Sequence, residues 1–138
     1  MSARYEHFPH EADVGLRGIG ATPAEAFAGA ALALTAAVTE PDLVGPETPV
    51  AVECRAGSLD DLLYDWLNAL VFEMATRRML FGRFDVRIDC GVLTATAWGE
   101  TISVARHQPA VEPKGATYTG LRVFEDARGW VAECVVDV

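Results

Sequence analysis

Residues 58–74 read SLDDLLYDWLNALVFEM. The apolar residues Leu59, Leu62, Leu63, Trp66, Leu67, Leu70, Val71 and Met74 recur at i, i+3, i+4 and i+7 for four turns. That spacing predicts an amphipathic helix over 59–75 with its Leu/Trp stripe in the core. Ser58 supplies an N-cap, and Asp60 and Asp61 stand where the helix dipole favours negative charge, so a solvated face explains them. Arg77 and Arg78 suit the other end for the same reason.

Upstream, Val50, Val52 and Cys54 alternate with polar residues, which predicts a strand over 48–55. Residues 40–48, EPDLVGPET, hold two prolines and a glycine and read as a loop. Thr22-Pro23-Ala24-Glu25 is a helix start: Thr22 caps, Pro23 takes the first helical position and Glu25 completes a capping box. This helix runs to about Val38, with Phe27, Ala30, Ala31, Leu34 and Val38 facing inward. Two short strands, 4–8 and 13–19, flank Pro9-His10-Glu11-Ala12.

Downstream everything reads as β. Phe84, Val86, Ile88 and Cys90 alternate with Arg83, Asp85, Arg87 and Asp89. Residues 93–98 return through a turn near Gly91, 101–105 form a shorter strand, and 106–114 are an irregular Pro-containing loop. Residues 118–124 and 130–138 make a closing hairpin. The fold class is α+β: two helices packed on mostly antiparallel sheet layers, in a single domain over 1–138.

The chain carries 11 Lys+Arg against 20 Asp+Glu, a net charge of −9. That balance disfavours a free-standing nucleic-acid binder and an anionic-membrane binder. Residues 1–69 hold three basic residues (Arg4, Arg17, Arg55) against eleven acidic ones, so a cation or a basic protein partner would be drawn there. Cys54, Cys90 and Cys134 are odd in number and widely spaced, which is neither a disulfide framework nor a zinc knuckle; each reads as a buried small hydrophobe. The N-terminus lacks the apolar run of a signal peptide, and the longest apolar stretch, 26–38, is too short to span a bilayer. The expectation is a cytoplasmic protein.

Candidate chemistry is sparse. Asp13 shares one face of its strand with Gly15, Arg17 and Ile19. On the last strand Trp130, Ala132, Cys134 and Val136 form an apolar face, while Glu133 and Asp137 point the other way. Taken alone, Asp137 reads as a solvated carboxylate. If the two strands are neighbours, Asp13, Asp137 and an oxygen of Val138 gather hard oxygen ligands suited to Ca²⁺ or Mg²⁺. His10 is a turn residue or a group that orients Asp13. His107 sits in the Pro-bounded loop with Lys114, the chain's only lysine. Gly18-Ile19-Gly20 lacks the rest of a dinucleotide fingerprint, no H-x-x-x-H pair is present, and neither Ser58 nor Ser103 lies in a G-x-S-x-G elbow.

HEADVGLRGIGATPAEAFAGAALAL, SLDDLLYDWLNALVFEM, VEPKGATYTGLRV and GWVAECVVDV together resemble the archease family, in the right order and over nearly the whole chain. The resemblance implies an accessory protein, not itself an enzyme, that activates an RtcB-type RNA ligase in tRNA splicing by promoting its guanylylation and repeated turnover. It implies metal ligands at Asp13, Asp137 and a backbone oxygen of Val138, and an essential lysine at Lys114. Arg77-Arg78 and the Pro-rich loop 106–113 depart from the family pattern. Two rivals stand beside this reading. One is a small divalent-metal hydrolase using Asp13 and Asp137 with His107 or Lys114 as acid or base. The other is a general chaperone, which would want a large exposed apolar surface.

Overall fold

The computed structural model describes residues 3–138. The predicted central helix, α2, runs Leu59–Arg77, and Ser58 Oγ accepts from the Asp61 N–H at 3.1 Å. Leu62, Leu63, Trp66, Leu67 and Leu70 are buried, and the Trp66 indole donates to the Phe27 carbonyl at 3.0 Å. Arg78 ends the helix in the left-handed conformation, φ 55°.

From there the chain enters β4, Met79–Asp89, and returns as β5, Val92–Thr101. The two are joined by Cys90-Gly91, with φ 49° and 78°. Two positive φ values in a two-residue loop suit the right-handed twist of a hairpin, and Gly91 takes its share without strain. β3, Thr48–Arg55, pairs with the other edge of β5, giving an antiparallel three-stranded sheet β3-β5-β4.

A second antiparallel sheet holds β1 (Arg4–His10), β2 (Asp13–Gly20), β8 (Gly129–Asp137) and β6 (Gly115–Ala116) in the order β1-β2-β8-β6. β7, Arg122–Asp126, pairs with the first half of β8. The helix α1, Pro23–Val38, lies against β2 and β8 and reaches β4. Its approach to β2 depends on Gly18, where a Cβ would meet the Ala26 carbonyl oxygen at 2.0 Å. α1, α2 and the facing sides of both sheets share one core, with Leu16, Phe27, Leu34, Trp66, Phe81 and Cys134 among its members. Among the described residues, no helix is long and apolar enough to cross a membrane.

The α+β class holds, with differences in detail. Residues 101–105 are not a strand. β5 continues to Thr101, and Val104–His107 forms a short third helix, α3, because Ser103 Oγ caps Arg106 N–H at 3.3 Å. β1 extends through Pro9 and His10, so the turn is confined to Glu11-Ala12, with Glu11 at φ 55°. β7 begins at Arg122 rather than 118. Cys54 and Cys134 are buried as expected, but Cys90 is exposed in the hairpin turn. β8 is buried on both faces from Val131 to Val136, since it runs centrally in its sheet. Glu133 tolerates that burial through ion pairs with Arg17 and Arg122.

Candidate functional site

β2 and β8 are direct neighbours, and that adjacency builds the site. Their antiparallel register begins with Val14 paired to Val136, so Asp13 and Asp137 are the next residues on each strand at the end of that ladder. On the outer side of β2, His10 of β1 pairs with Asp13. On the outer side of β8, Gly115 of β6 pairs with Asp137. His10, Asp13, Asp137 and the Lys114-Gly115 segment thus form a row across four strands at one end of the sheet.

The row is held by backbone bonds. Lys114 N–H donates to the Asp137 carbonyl at 2.8 Å, and Thr117 N–H donates to Val135 at 2.9 Å. Asn68 of α2 accepts from Ala116 N–H at 2.9 Å, so the central helix also pins β6. Lys114 and Asp137 are exposed, whereas His10, Asp13 and Val138 are half-buried. Further along the same face Arg17 is shared between Glu6 and Glu133, and Arg122 bonds Glu133 at 2.9 Å. Burial alone would raise the Glu133 carboxyl; its bonds to Arg17 and Arg122 override it and hold the pKa below the ordinary range. That network is internally compensated and leaves Asp13 and Asp137 outside it.

The residues fit a hard divalent cation. Asp13 and Asp137 each bring a carboxylate to this end of the sheet, and a Val138 oxygen follows Asp137 in the chain, an all-oxygen set that would suit Ca²⁺ or Mg²⁺. Beside them the His10 Nδ1 is buried without a hydrogen-bond partner. Such orphaned atoms are uncommon, and this one belongs to the residue paired with Asp13 across the strands. No group of three or more His, Cys, Asp or Glu side chains is arranged to hold a metal among the described residues. A cation here would therefore rest on the two aspartates and main-chain oxygen.

His107 lies elsewhere. It is buried in α3, where its Nδ1 accepts from Ser103 N–H at 2.8 Å and its Nε2 stands 3.0 Å from Glu100 Oε2. Glu100 also accepts from Gly45 N–H at 2.8 Å and pairs with Arg106. The Gly45 amide, His107 and Arg106 hold the Glu100 carboxyl down at about 2. Both His107 nitrogens are engaged, so it is a structural clasp rather than a free acid or base. The sequence signal was the polar pair six and seven residues after Glu100, legible only once the loop closes. Asp60 also departs from its solvated reading: its Oδ1 accepts from Val123 N–H at 2.7 Å and ties α2 to β7. Burial pushes Cys54 and Cys134 up to about 11, which fits inert core thiols. A groove of about 570 Å³ separates the last turns of α2 from loop 109–113, lined by Val38, Val71, Met74, Ile102 and Val111.

Two sheets clasping two long helices form an architecture found in other proteins. The sequence matches the Archease protein family (MTH1598/TM1083) over residues 5–138. A protein archease from Pyrococcus furiosus is 32% identical, covering 98% of this chain and 99% of that protein. One from Thermococcus gammatolerans is 36% identical with the same coverage. The solution structure of Methanobacterium thermoautotrophicum protein 1598 superposes with a TM-score of 0.85 at 32% identity, covering 97% of this chain and 98% of that one. A Thermotoga maritima crystal structure described as "an archease, possible chaperone" shares the fold, with a TM-score of 0.62 at 16% identity and 96% coverage of both chains. The chain belongs to the archease family.

Proposed function

We propose that the protein is an accessory factor of an RtcB-type RNA ligase in tRNA splicing, acting in the cytoplasm to promote guanylylation and repeated turnover of the ligase, without catalysing a reaction itself. The observation that carries this reading is the convergence of Asp13, Asp137 and the Lys114 segment on consecutive strands. Asp13, Asp137 and a Val138 oxygen would hold Ca²⁺ or Mg²⁺, which would supply a fixed positive charge open to further oxygen ligands. Lys114, exposed on a backbone tied to Asp137, would add a compact ammonium able to neutralise phosphate charge when the ligase docks. His10, the backbone partner of Asp13 on β1, would orient its carboxylate. The excess of negative charge in residues 1–69 suits a basic, RNA-handling protein partner, and the net charge of −9 argues against stable RNA binding by this chain.

The test is ligase guanylylation with GTP, followed over several turnovers with and without this protein. Stimulation by the native chain, lost in Asp13→Ala, Asp137→Ala and Lys114→Ala, supports the reading. A native chain that leaves ligase turnover unchanged overturns it. Phosphoesterase activity in the isolated chain would favour the hydrolase reading, which His107, engaged at both ring nitrogens, does not support.

A further inference from the structure

β4 is an edge strand, paired only with β5. Its first part is covered: Thr35 Oγ1 bonds the Phe81 carbonyl at 2.6 Å, and a Cβ on Gly82 would lie 2.8 Å from the Pro41 carbonyl oxygen. From Arg83 to Asp89 no backbone group has a hydrogen-bond partner beyond β5 among the described residues. This open edge is seven residues long, a template for another strand.

Its side chains have an uncommon order. Arg83, Asp85, Arg87 and Asp89 are exposed on one face, with Arg83 also over the Trp98 ring at 4.7 Å. Phe84, Val86 and Ile88 on the other face are half-buried against the core and extend it to the edge. Edge strands are commonly guarded by charge of one sign, which repels a copy of itself. Here the signs alternate and cancel, so the guard does not repel a copy in every register.

We propose that residues 83–89 of β4 pair antiparallel with the same segment of a second copy of this chain, about a two-fold axis at Val86, joining two three-stranded sheets into one of six. In that register Arg83 faces Asp89 and Asp85 faces Arg87, each twice by symmetry, while Phe84 meets Ile88 and Val86 meets itself. Shifting the register by two in either direction opposes Asp to Asp and Arg to Arg. Shifting it by one sets charged side chains on the apolar face. The charge order therefore selects one register and rejects its neighbours. The interface is isologous and closes at two copies. So short a contact makes a weak pair, with Kd between about 1 μM and 1 mM.

Sedimentation velocity on the full chain up to about 1 mM reads the mass directly. The native protein should shift with concentration from 14.8 kDa toward twice that mass. Asp85→Arg should raise the dissociation constant about tenfold or more, since it replaces two opposite-charge pairs by like-charge ones. Arg87→Asp should do the same independently, and the double variant D85R/R87D should restore the dimer by exchanging the partners. These positions are exposed, and unchanged far-UV circular dichroism would confirm that the variants fold. A native chain that stays at 14.8 kDa, a mass beyond two copies, a dimer that D85R and R87D leave intact, or a double variant that stays monomeric would each overturn the proposal.

Discussion

Lys114 is placed by its backbone and leaves its side chain exposed. Its N–H is bonded to Asp137, and the chain around it is stiffened by Pro113 on one side and β6 on the other. Lys114→Ala should abolish stimulation of ligase guanylylation while metal binding and melting temperature stay unchanged. Lys114→Arg should recover only part, since a planar guanidinium places its charge differently from an ammonium. Asp13 tests the other half of the row. Replacing even a group that only supports a ligand costs roughly 10–100-fold in metal affinity. Asp13→Ala should therefore weaken Ca²⁺ binding, measured by calorimetry, at least to that extent. In the metal-free protein it should be neutral or mildly stabilising, because like charges near each other on neighbouring strands destabilise them. A marked drop in the melting temperature of the metal-free variant would contradict that account.

Among the elements, α2 does two things. Its Leu/Trp stripe fills the core, and Trp66 is fully buried, with its ring edge-on to Phe84 at 6.1 Å. Trp66→Ala should cost about 3–5 kcal/mol in denaturant unfolding through lost transfer energy and the cavity left behind. Its Asn68, in contrast, contributes outside the core by accepting from Ala116 N–H. Asn68→Ala leaves that half-buried donor without its partner and should cost about 1–3 kcal/mol. It should also lower ligase stimulation more than the stability loss alone explains, because β6 carries Lys114-Gly115 to Asp137. A variant equally destabilised elsewhere, with stimulation intact, is the control that separates the two effects.

At the level of the molecule, Glu100 links β5, α3 and the loop at Gly45 in one buried cluster. Its carboxyl is held at about 2, below its ordinary value near 4.5, by the Gly45 N–H first and then by His107 and Arg106. A depressed carboxylate contributes stability above its unfolded pKa and loses it as pH falls through the folded one. The contribution is thus complete above about pH 5 and fades toward pH 2. Glu100→Gln should destabilise the protein at neutral pH and flatten the acid side of its stability profile. Native and variant melting temperatures should converge as pH falls; a constant gap would show that Glu100 is not titrating in that window.

How much of this was legible in the chain follows from range. The α2 stripe, the Thr22 cap, the alternation of β3 and β4 and the turn near Gly91 are local patterns, so neighbouring residues suffice to read them. The parity of Asp13 and Asp137 on their strands was equally readable. That β2 and β8 lie side by side, 122 residues apart at the Val14–Val136 pair, was not, because strand order depends on which apolar faces α1 and α2 can cover together. The third helix has no local signature, because its cap at Ser103 works only when the Glu100–His107 clasp closes the loop. Local periodicity determined the elements and the faces they present, together with the charge that bounds the partners. Packing of the two sheets around both helices alone decided that β2, β8 and β6, which carry Asp13, Asp137 and the end of the Lys114 segment, lie side by side, since hydrogen bonding between distant strands has no signature in either strand by itself.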